Sequence, residues 1–376
     1  MRQVRRFLLL VGLLFLSAGG RAEGGGGTLS SGLWHENPLL RAPLSGLEQR
    51  ALLEQYLPAR KATFLIADCQ VKKCRPGDGV GTGFLIGSDG LALTAYHVMF
   101  QLRHPSVMMS NGRRYEARVI GYDDQHDLAV LKVKVPKGTP FLTLSREAFN
   151  PADAVMVVGN GGGEFLKAKT GRLLGLDSEV GRADFPPGTL KLGTSILPGD
   201  SGSPVLNFQG EVGGVVSFLR VAPELADRPP RVTAFAVPVT ANDARLAALK
   251  QGLKRDAPII GVGLNGPAAL LFDLDAGPFQ KETLAQGLNL GRTPGAFFTS
   301  VTPGSPAARA GLKPVNYQGK GDVVTHVNGQ RVVNFSEFQY AVREHAPGET
   351  VTLTVLRNGK ALKLKMKLVG RATVKN

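Results

Sequence analysis

The sequence predicts a mostly β chain, and three observations carry that prediction. From Lys61 onward, short apolar runs alternate with glycine-marked turns, at 62–66, 83–86, 91–94, 115–121, 128–133, 154–158, 171–176, 213–218 and 233–237. Strand-length runs at such spacing indicate a sandwich or barrel. Glycine is abundant, 48 of 376 residues, which suits a loop-rich β protein better than a helical bundle. No helical pattern interrupts the strands until 240–249, which reads as a linker helix. Composition is otherwise that of a globular protein, 43% hydrophobic and 20% charged. The length accommodates roughly two domains at ~150 residues each.

Residues 1–22 read as a secretory signal peptide. Arg2, Arg5 and Arg6 form a charged start, 7–16 is an apolar run, and the small residues of 17–22 offer a cleavage site. The alternative is a retained anchor, although the run is shorter than the ~20 residues that span a bilayer. The expected location is therefore exported: periplasmic, extracellular or associated with the cell envelope. Net charge is +15, and about +11 once the four arginines of 1–22 are removed. No nucleic-acid motif accompanies this charge, so a nucleic-acid partner is not expected. Attraction to anionic envelope surfaces or acidic clients, or a general bias toward arginine, accounts for it.

The 23–58 stretch is expected to be a flexible N-terminal segment ending in a short helix. It is rich in Gly, Ser and Pro and holds the only tryptophan, Trp34, beside His35. Ser45 followed by Glu48 is a capping-box pattern that starts a helix running to about Leu57, before Pro58. Cys69 and Cys74 are the only cysteines, with four residues between them. In an exported chain they read as a disulfide clipping a loop. Metal binding is the competing reading, but no paired histidines or further cysteines complete a site, so no metal and no cofactor are expected.

The stretch Leu197-Pro198-Gly199-Asp200-Ser201-Gly202-Ser203-Pro204 reads as a sharp turn holding one hydroxyl above backbone N–H groups. Gly199 and Gly202 permit the turn because glycine tolerates φ > 0. The amides of Gly199 and Ser201, with that of Asp200, can converge on the oxyanion formed when a hydroxyl attacks a carbonyl. Ser201 is the candidate nucleophile, and a serine needs an adjacent base. His97, in Thr94-Ala95-Tyr96-His97-Val98, is the candidate base. Asp127, which leads into the apolar run 128–133, is the candidate to orient it. Asp123 and Asp124 are rivals in a polar turn, and His126 is read as a bystander. The order His, Asp, Ser separates this arrangement from an α/β-hydrolase.

These stretches, with Gly81-Thr82-Gly83-Phe84, resemble the HtrA/Deg family of chymotrypsin-fold serine proteases. Farther on, Pro258-Ile259-Ile260-Gly261-Val262-Gly263-Leu264, the Gly304–Leu312 segment and Gly321-Asp322-Val323-Val324 resemble an HtrA-type PDZ domain. Its usual Pro-Gly-Asp turn is interrupted here by Val315 to Lys320. The resemblance implies a chymotrypsin-like double β-barrel protease domain over 59–246 and one PDZ domain over 247–376. It further implies an ATP-independent endopeptidase that cleaves unfolded polypeptides, a PDZ domain that binds C-terminal peptides through Ile260, Gly261 and Val262, and a family in which trimers form through N-terminal contacts. The fold places Ser195 at the floor of the primary pocket and Gly214, Val215, Val216 and Ser217 in its wall. With no carboxylate there, small or medium aliphatic residues are expected before the scissile bond.

One departure stands out. The family usually has asparagine before the nucleophile, and this chain has Asp200. Chymotrypsin-like zymogens also carry aspartate there and pair it with a new N-terminus, but no Ile-Val-Gly-Gly start is visible. A buried carboxylate needs a partner, and the sequence names none. Two rival functions remain: a PDZ-containing scaffold or chaperone with an idle protease fold, and a signalling protease with one dedicated client.

Overall fold

The computed structural model describes residues 42–100, 102–177, 189–222, 231–265, 268, 271, 274, 276–316 and 320–370. The expected signal peptide and the segment holding Trp34 and His35 lie outside the described residues. The chain is mostly β, as expected, and builds two closed six-stranded barrels followed by a third, smaller unit.

Helix α1 (Gly46–Glu54) begins with the capping box: the Glu48 amide donates to Ser45 Oγ and the Ser45 amide donates to the Glu48 carboxylate. It ends sooner than expected. Gln55 closes it, and α2 (Tyr56–Ala62) starts again with Pro58 in its first turn. Proline is tolerated there because a first-turn N–H has no intrahelical acceptor to lose. Ala62, expected to open a strand, is the last residue of α2.

The first barrel comprises β1 (Thr63–Asp68), β2 (Gly79–Leu85), β3 (Leu91–Thr94), β4 (Pro105–Met109), β5 (Arg114–Asp123) and β6 (Leu128–Val133). Their order is β5-β4-β1-β2-β3-β6, closed by β5 on β6. Between β3 and β4 lies the single turn of α3 (Tyr96–Met99). Cys69 and Cys74 are joined between β1 and β2, with Cα atoms 5.1 Å apart.

The second barrel comprises β7 (Ala154–Gly159), β8 (Lys167–Asp177), β9 (Thr189–Leu192), β10 (Pro204–Leu206), β11 (Val212–Ala222) and β12 (Arg231–Pro238), closed in the order β10-β11-β12-β9-β8-β7. Successive strand side chains point to opposite faces, and in β7 both faces are covered. Val155 and Val157 enter one core with Leu173 and Val205, while Met156 and Val158 enter another with Phe84, Leu93 and Leu52. That second core is shared by both barrels and α1, and it fixes how the two barrels sit against each other.

Helix α4 (Ala244–Lys250), capped by the Asp243 side chain, buries Leu246 and Leu249 in the same shared core. Strand β13 (Lys254–Arg255) then adds in parallel to the end of β5 at Tyr122 and Asp123. The C-terminal unit follows. A sheet in the order β18-β17-β19-β20 holds β17 (Asp322–Val327), β18 (Gln330–Arg331), β19 (Thr350–Arg357) and β20 (Lys360–Lys367). Helix α5 (Phe279–Ala285), the short α6 (Pro306–Arg309) and α7 (Phe335–Arg343) accompany it. Phe279, Phe298, Phe338, Val324 and Leu353 centre its core. Asp322 is fully buried and takes two hydrogen bonds from Arg357, at 2.7 and 2.8 Å.

Candidate active site

Asp127 sits in the tight turn between β5 and β6, with φ +51°. Aspartate is among the few residues that enter this left-handed region readily. Asp123 helps to make the turn: its carboxylate accepts the amides of Gln125 and His126, at 3.0 and 3.1 Å, and meets His126 Nδ1 at 2.7 Å. One rival carboxylate, Asp123, and the bystander His126 thus build the turn that carries Asp127, while the Asp124 carboxylate accepts the Ala257 amide at 3.3 Å.

The Tyr96 amide donates to the Asp127 carbonyl at 3.2 Å, which sets α3 against that turn. The His97 amide donates to Asp127 Oδ1 and His97 Nδ1 lies on Oδ2, both at 2.8 Å. A carboxylate only accepts, so Nδ1 carries the proton and Nε2 is left as the base. Asp127 is 6% exposed, whereas the His97 side chain is 43% exposed. Burial alone would push the Asp127 carboxyl up. The facing His97, the Ser217 hydroxyl and the His97 amide outweigh it and hold the group below the usual carboxylate value.

Ser217 carries a function that the sequence reading missed. Expected in a pocket wall, its side chain is 1% exposed and its hydroxyl donates to Asp127 Oδ2. Its carbonyl accepts from Ser201 Oγ at 3.4 Å. One residue of β11 therefore touches both the orienting carboxylate and the candidate nucleophile. Gly214, Val215 and Val216, expected in the same wall, belong to β11. All three are buried in the second barrel, with Val215 and Val216 in its two cores. Ser195 is exposed in the loop ahead of the serine turn.

The orientation of the serine turn follows from its carbonyls. The Pro198 carbonyl accepts the Gly162 amide at 3.1 Å, and the Asp200 carbonyl accepts the Ser203 amide at 2.9 Å. In a trans peptide the N–H points away from the C=O, so the Gly199 amide points away from Gly162 and the Ser201 amide points away from the Ser203 amide. Neither donates to an acceptor among the described residues. The Asp200 amide, expected with them as an oxyanion donor, is bonded to the Leu197 carbonyl at 3.0 Å. Thr82 Oγ1 donates to the Gly199 carbonyl at 2.7 Å, and the Thr82 amide donates to the Ser201 carbonyl at 2.8 Å. These bonds tie the turn to the first barrel. Gly202 has φ +87°, and a Cβ there would lie 2.0 Å from the Thr82 carbonyl oxygen, so only glycine fits.

In the C-terminal unit, β14 (Pro258–Ile259) pairs with β21 (Val369–Gly370), and β15 (Val262–Gly263) pairs with β16 (Ser300–Val301). Between β14 and β15, the Ile260 and Gly261 carbonyls accept the amides of Ala307 and Thr302, at 3.0 and 2.9 Å. Gly261 has φ +80° and abuts Ser305, where a Cβ would lie 2.1 Å away. Among the described residues, β15 has one paired edge and one open edge.

Residues 81–215 match the family model for a trypsin-like peptidase domain, and residues 274–368 match that for a PDZ domain. The periplasmic pH-dependent serine endoprotease DegQ of Escherichia coli is 31% identical over 325 residues, covering 86% of this chain and 66% of DegQ. A Chlamydia trachomatis protein named as a probable periplasmic serine endoprotease, DegP-like, is 30% identical over 291 residues, covering 76% of this chain and 52% of that one. The chain thus spans between about half and two thirds of these relatives' lengths. Among solved structures, the HtrA-type protease AlgW with a decapeptide matches with a TM-score of 0.54 at 22% identity, over 85% of this chain and 98% of AlgW. A serine endoprotease from Yersinia pestis matches at 0.51 and 23% identity, over 88% and 99%. Both show the same fold. With its paired barrels, its serine turn and one PDZ domain, the chain belongs to the HtrA/Deg family.

Proposed function

We propose that the chain is a serine endopeptidase in which Ser201 attacks, His97 takes and returns the proton, and Asp127 fixes the imidazole. The observation that carries this reading is the pairing of His97 Nδ1 with the buried Asp127, beside a serine turn whose Gly199 and Ser201 amides donate to no acceptor among the described residues. Ser201 Oγ forms the acyl bond as its proton passes to His97 Nε2. The two amides stabilise the oxyanion, and protonated His97 then delivers the proton to the leaving amine.

The substrates are unfolded polypeptides, cleaved after small or medium aliphatic residues. The relatives are named as periplasmic, and among the described residues no helix is long and apolar enough to cross a membrane. The location in the relatives' names fits an exported enzyme. The open edge of β15 suits an extended C-terminal peptide added as a strand, its carboxylate reaching the Ile260–Val262 loop.

Casein degradation and labelling by a fluorophosphonate test the reading. The wild-type chain is expected to degrade casein and take the label, and Ser201→Ala is expected to do neither. Equal casein loss in both would overturn it, and the absence of labelling in the wild type would favour an idle scaffold.

A further inference from the structure

The one feature of the serine turn that the family pattern leaves unexplained is Asp200, and its surroundings are built for a charge. Its side chain is fully buried. Oδ1 accepts the Gly161 amide at 2.8 Å, and Oδ2 accepts the Leu197 amide at 2.9 Å together with the Lys169 ammonium. Lys169 comes from β8 and is itself only 12% exposed. Glycines make the space. A Cβ on Gly161 would lie 2.0 Å from Asp200 Oδ2 and 2.5 Å from Lys169 Nζ, and one on Gly159 would lie 2.4 Å from Asp200 Oδ1.

This pair sits behind the oxyanion donors. Asp200 holds Leu197 on one side and Gly161 on the other, and Gly162 in turn holds the Pro198 carbonyl. The same turn therefore orients the Pro198–Gly199 peptide, whose N–H is one of the two oxyanion donors. An enclosed carboxylate without a cation either turns outward or takes up a proton. In both cases it releases one of the two backbone amides that fix that peptide.

We infer that Lys169 is a positioning residue: it supplies from within the chain the cation that a newly cut N-terminus supplies in chymotrypsin-like zymogens, so the oxyanion turn is assembled without processing. The inference rests on the endopeptidase reading above. It assigns Lys169 no contact with substrate. The Lys169–Asp200 pair replaces a maturation step and makes the position of β8 a determinant of activity.

The test is hydrolysis of p-nitrophenyl acetate, a small ester that needs no specificity pocket, by wild type, Lys169→Ala and the double variant Lys169→Met with Asp200→Asn. Ser201-dependent turnover by the wild type with its N-terminal segment intact meets the underlying reading, and the variants then judge the inference alone. A wild type that hydrolyses nothing fails the reading and the inference with it. Lys169→Ala is expected to lose about 10²–10³-fold in kcat, the usual consequence of losing one oxyanion donor, with KM little changed. Propylammonium matches the deleted Cγ–Nζ atoms, and it is expected to restore at least about tenfold where propanol restores nothing. Wild-type kcat in Lys169→Ala, or equal rescue by the alcohol, overturns the inference. Where the single variant does not fold, the double variant decides. Turnover within about tenfold of wild type is expected because the buried charge is gone with its partner, and a folded but silent double variant overturns the inference.

Discussion

Asp127 and Asp200 flank the candidate nucleophile, both are closed to solvent, and each accepts three hydrogen bonds, yet the donors come from different places. Asp127 is held by the His97 amide, the His97 ring and the Ser217 hydroxyl, so its donors straddle the two barrels. Asp200 is held by Gly161, Leu197 and Lys169, all from the second barrel. The partner of Asp127 is a half-exposed imidazole, the group that the proposed reaction protonates and deprotonates. The partner of Asp200 is a largely enclosed ammonium. On the proposed reading, one carboxylate serves the proton transfer and the other serves the shape of the turn. Changes at Asp127 should therefore alter chemistry in an intact fold, while changes at Asp200 or Lys169 should alter the geometry that the chemistry needs.

Asp127→Asn is the strongest way to break this contrast. Asparagine can still accept the His97 amide, but it presents an N–H to Nδ1. The ring then takes the other tautomer, and Nε2 no longer accepts a proton from Ser201. A loss of about 10⁴-fold in kcat is expected, with the thermal unfolding midpoint close to that of wild type. Ester hydrolysis and calorimetry on one preparation decide it. A rate within tenfold of wild type would remove Asp127 from the proton transfer. A collapse of stability would make it a folding residue rather than a participant in the chemistry.

Much of this site was legible in the sequence, and the exceptions have physical reasons. His97, Asp127 and Ser201 stand in short local patterns, each next to an apolar strand that anchors it. Lys169 lies 31 residues from Asp200 and has no local signature. Strand alternation in Lys167-Ala168-Lys169 puts both lysines on one face, but Lys167 pairs with Glu164 at the surface and only Lys169 turns to the buried acid. The signal available was the acid itself, since a carboxylate in that turn demands a cation. The contact of Ser217 with Asp127 was hidden for another reason. β11 slips register against β12 between Val216 and Phe218. Such a bulge re-aims a side chain, and here the Ser217 hydroxyl reaches Asp127. The unforeseen strands β4, β9 and β10 begin at proline or run to only four and three residues, too short for alternation to show.

Ser217→Ala sharpens the comparison with a smaller effect. It removes one of three donors to Asp127 and leaves His97 in place. A hydrogen bond to a charged group contributes about 1.5–3 kcal/mol, and the lower end corresponds to roughly tenfold in kcat. The acid side of the stability curve should move as well. The Asp127 value is depressed in the folded chain, so its contribution is complete above the unfolded carboxylate value of about 3.9 and fades as pH falls through the folded value. Losing the Ser217 donor raises the folded value, and acid unfolding should then begin at higher pH. An unchanged rate with an unchanged acid limb would show that the hydroxyl contributes nothing to the carboxylate.

The smallest effect is expected at the disulfide, which tests whether the first barrel needs a covalent brace near either aspartate. Cys69 and Cys74 close a short turn between β1 and β2, and the three hydrogen bonds described above to each of Asp127 and Asp200 come from other segments. A loop this small removes little freedom from the unfolded chain, so replacing both cysteines by serine should cost at most about 2 kcal/mol. For a domain of this size that is a fall of several degrees in the unfolding midpoint. Ester hydrolysis by the double serine variant, and by wild type in reductant, should stay within about twofold of the oxidised protein because the site is held by the shared core and by Thr82 rather than by the loop. A large loss of kcat on reduction would mean that the β1–β2 loop transmits strain to the Thr82 brace on the serine turn, and the division between a chemical carboxylate on one barrel and a geometric one on the other would have to include a third element.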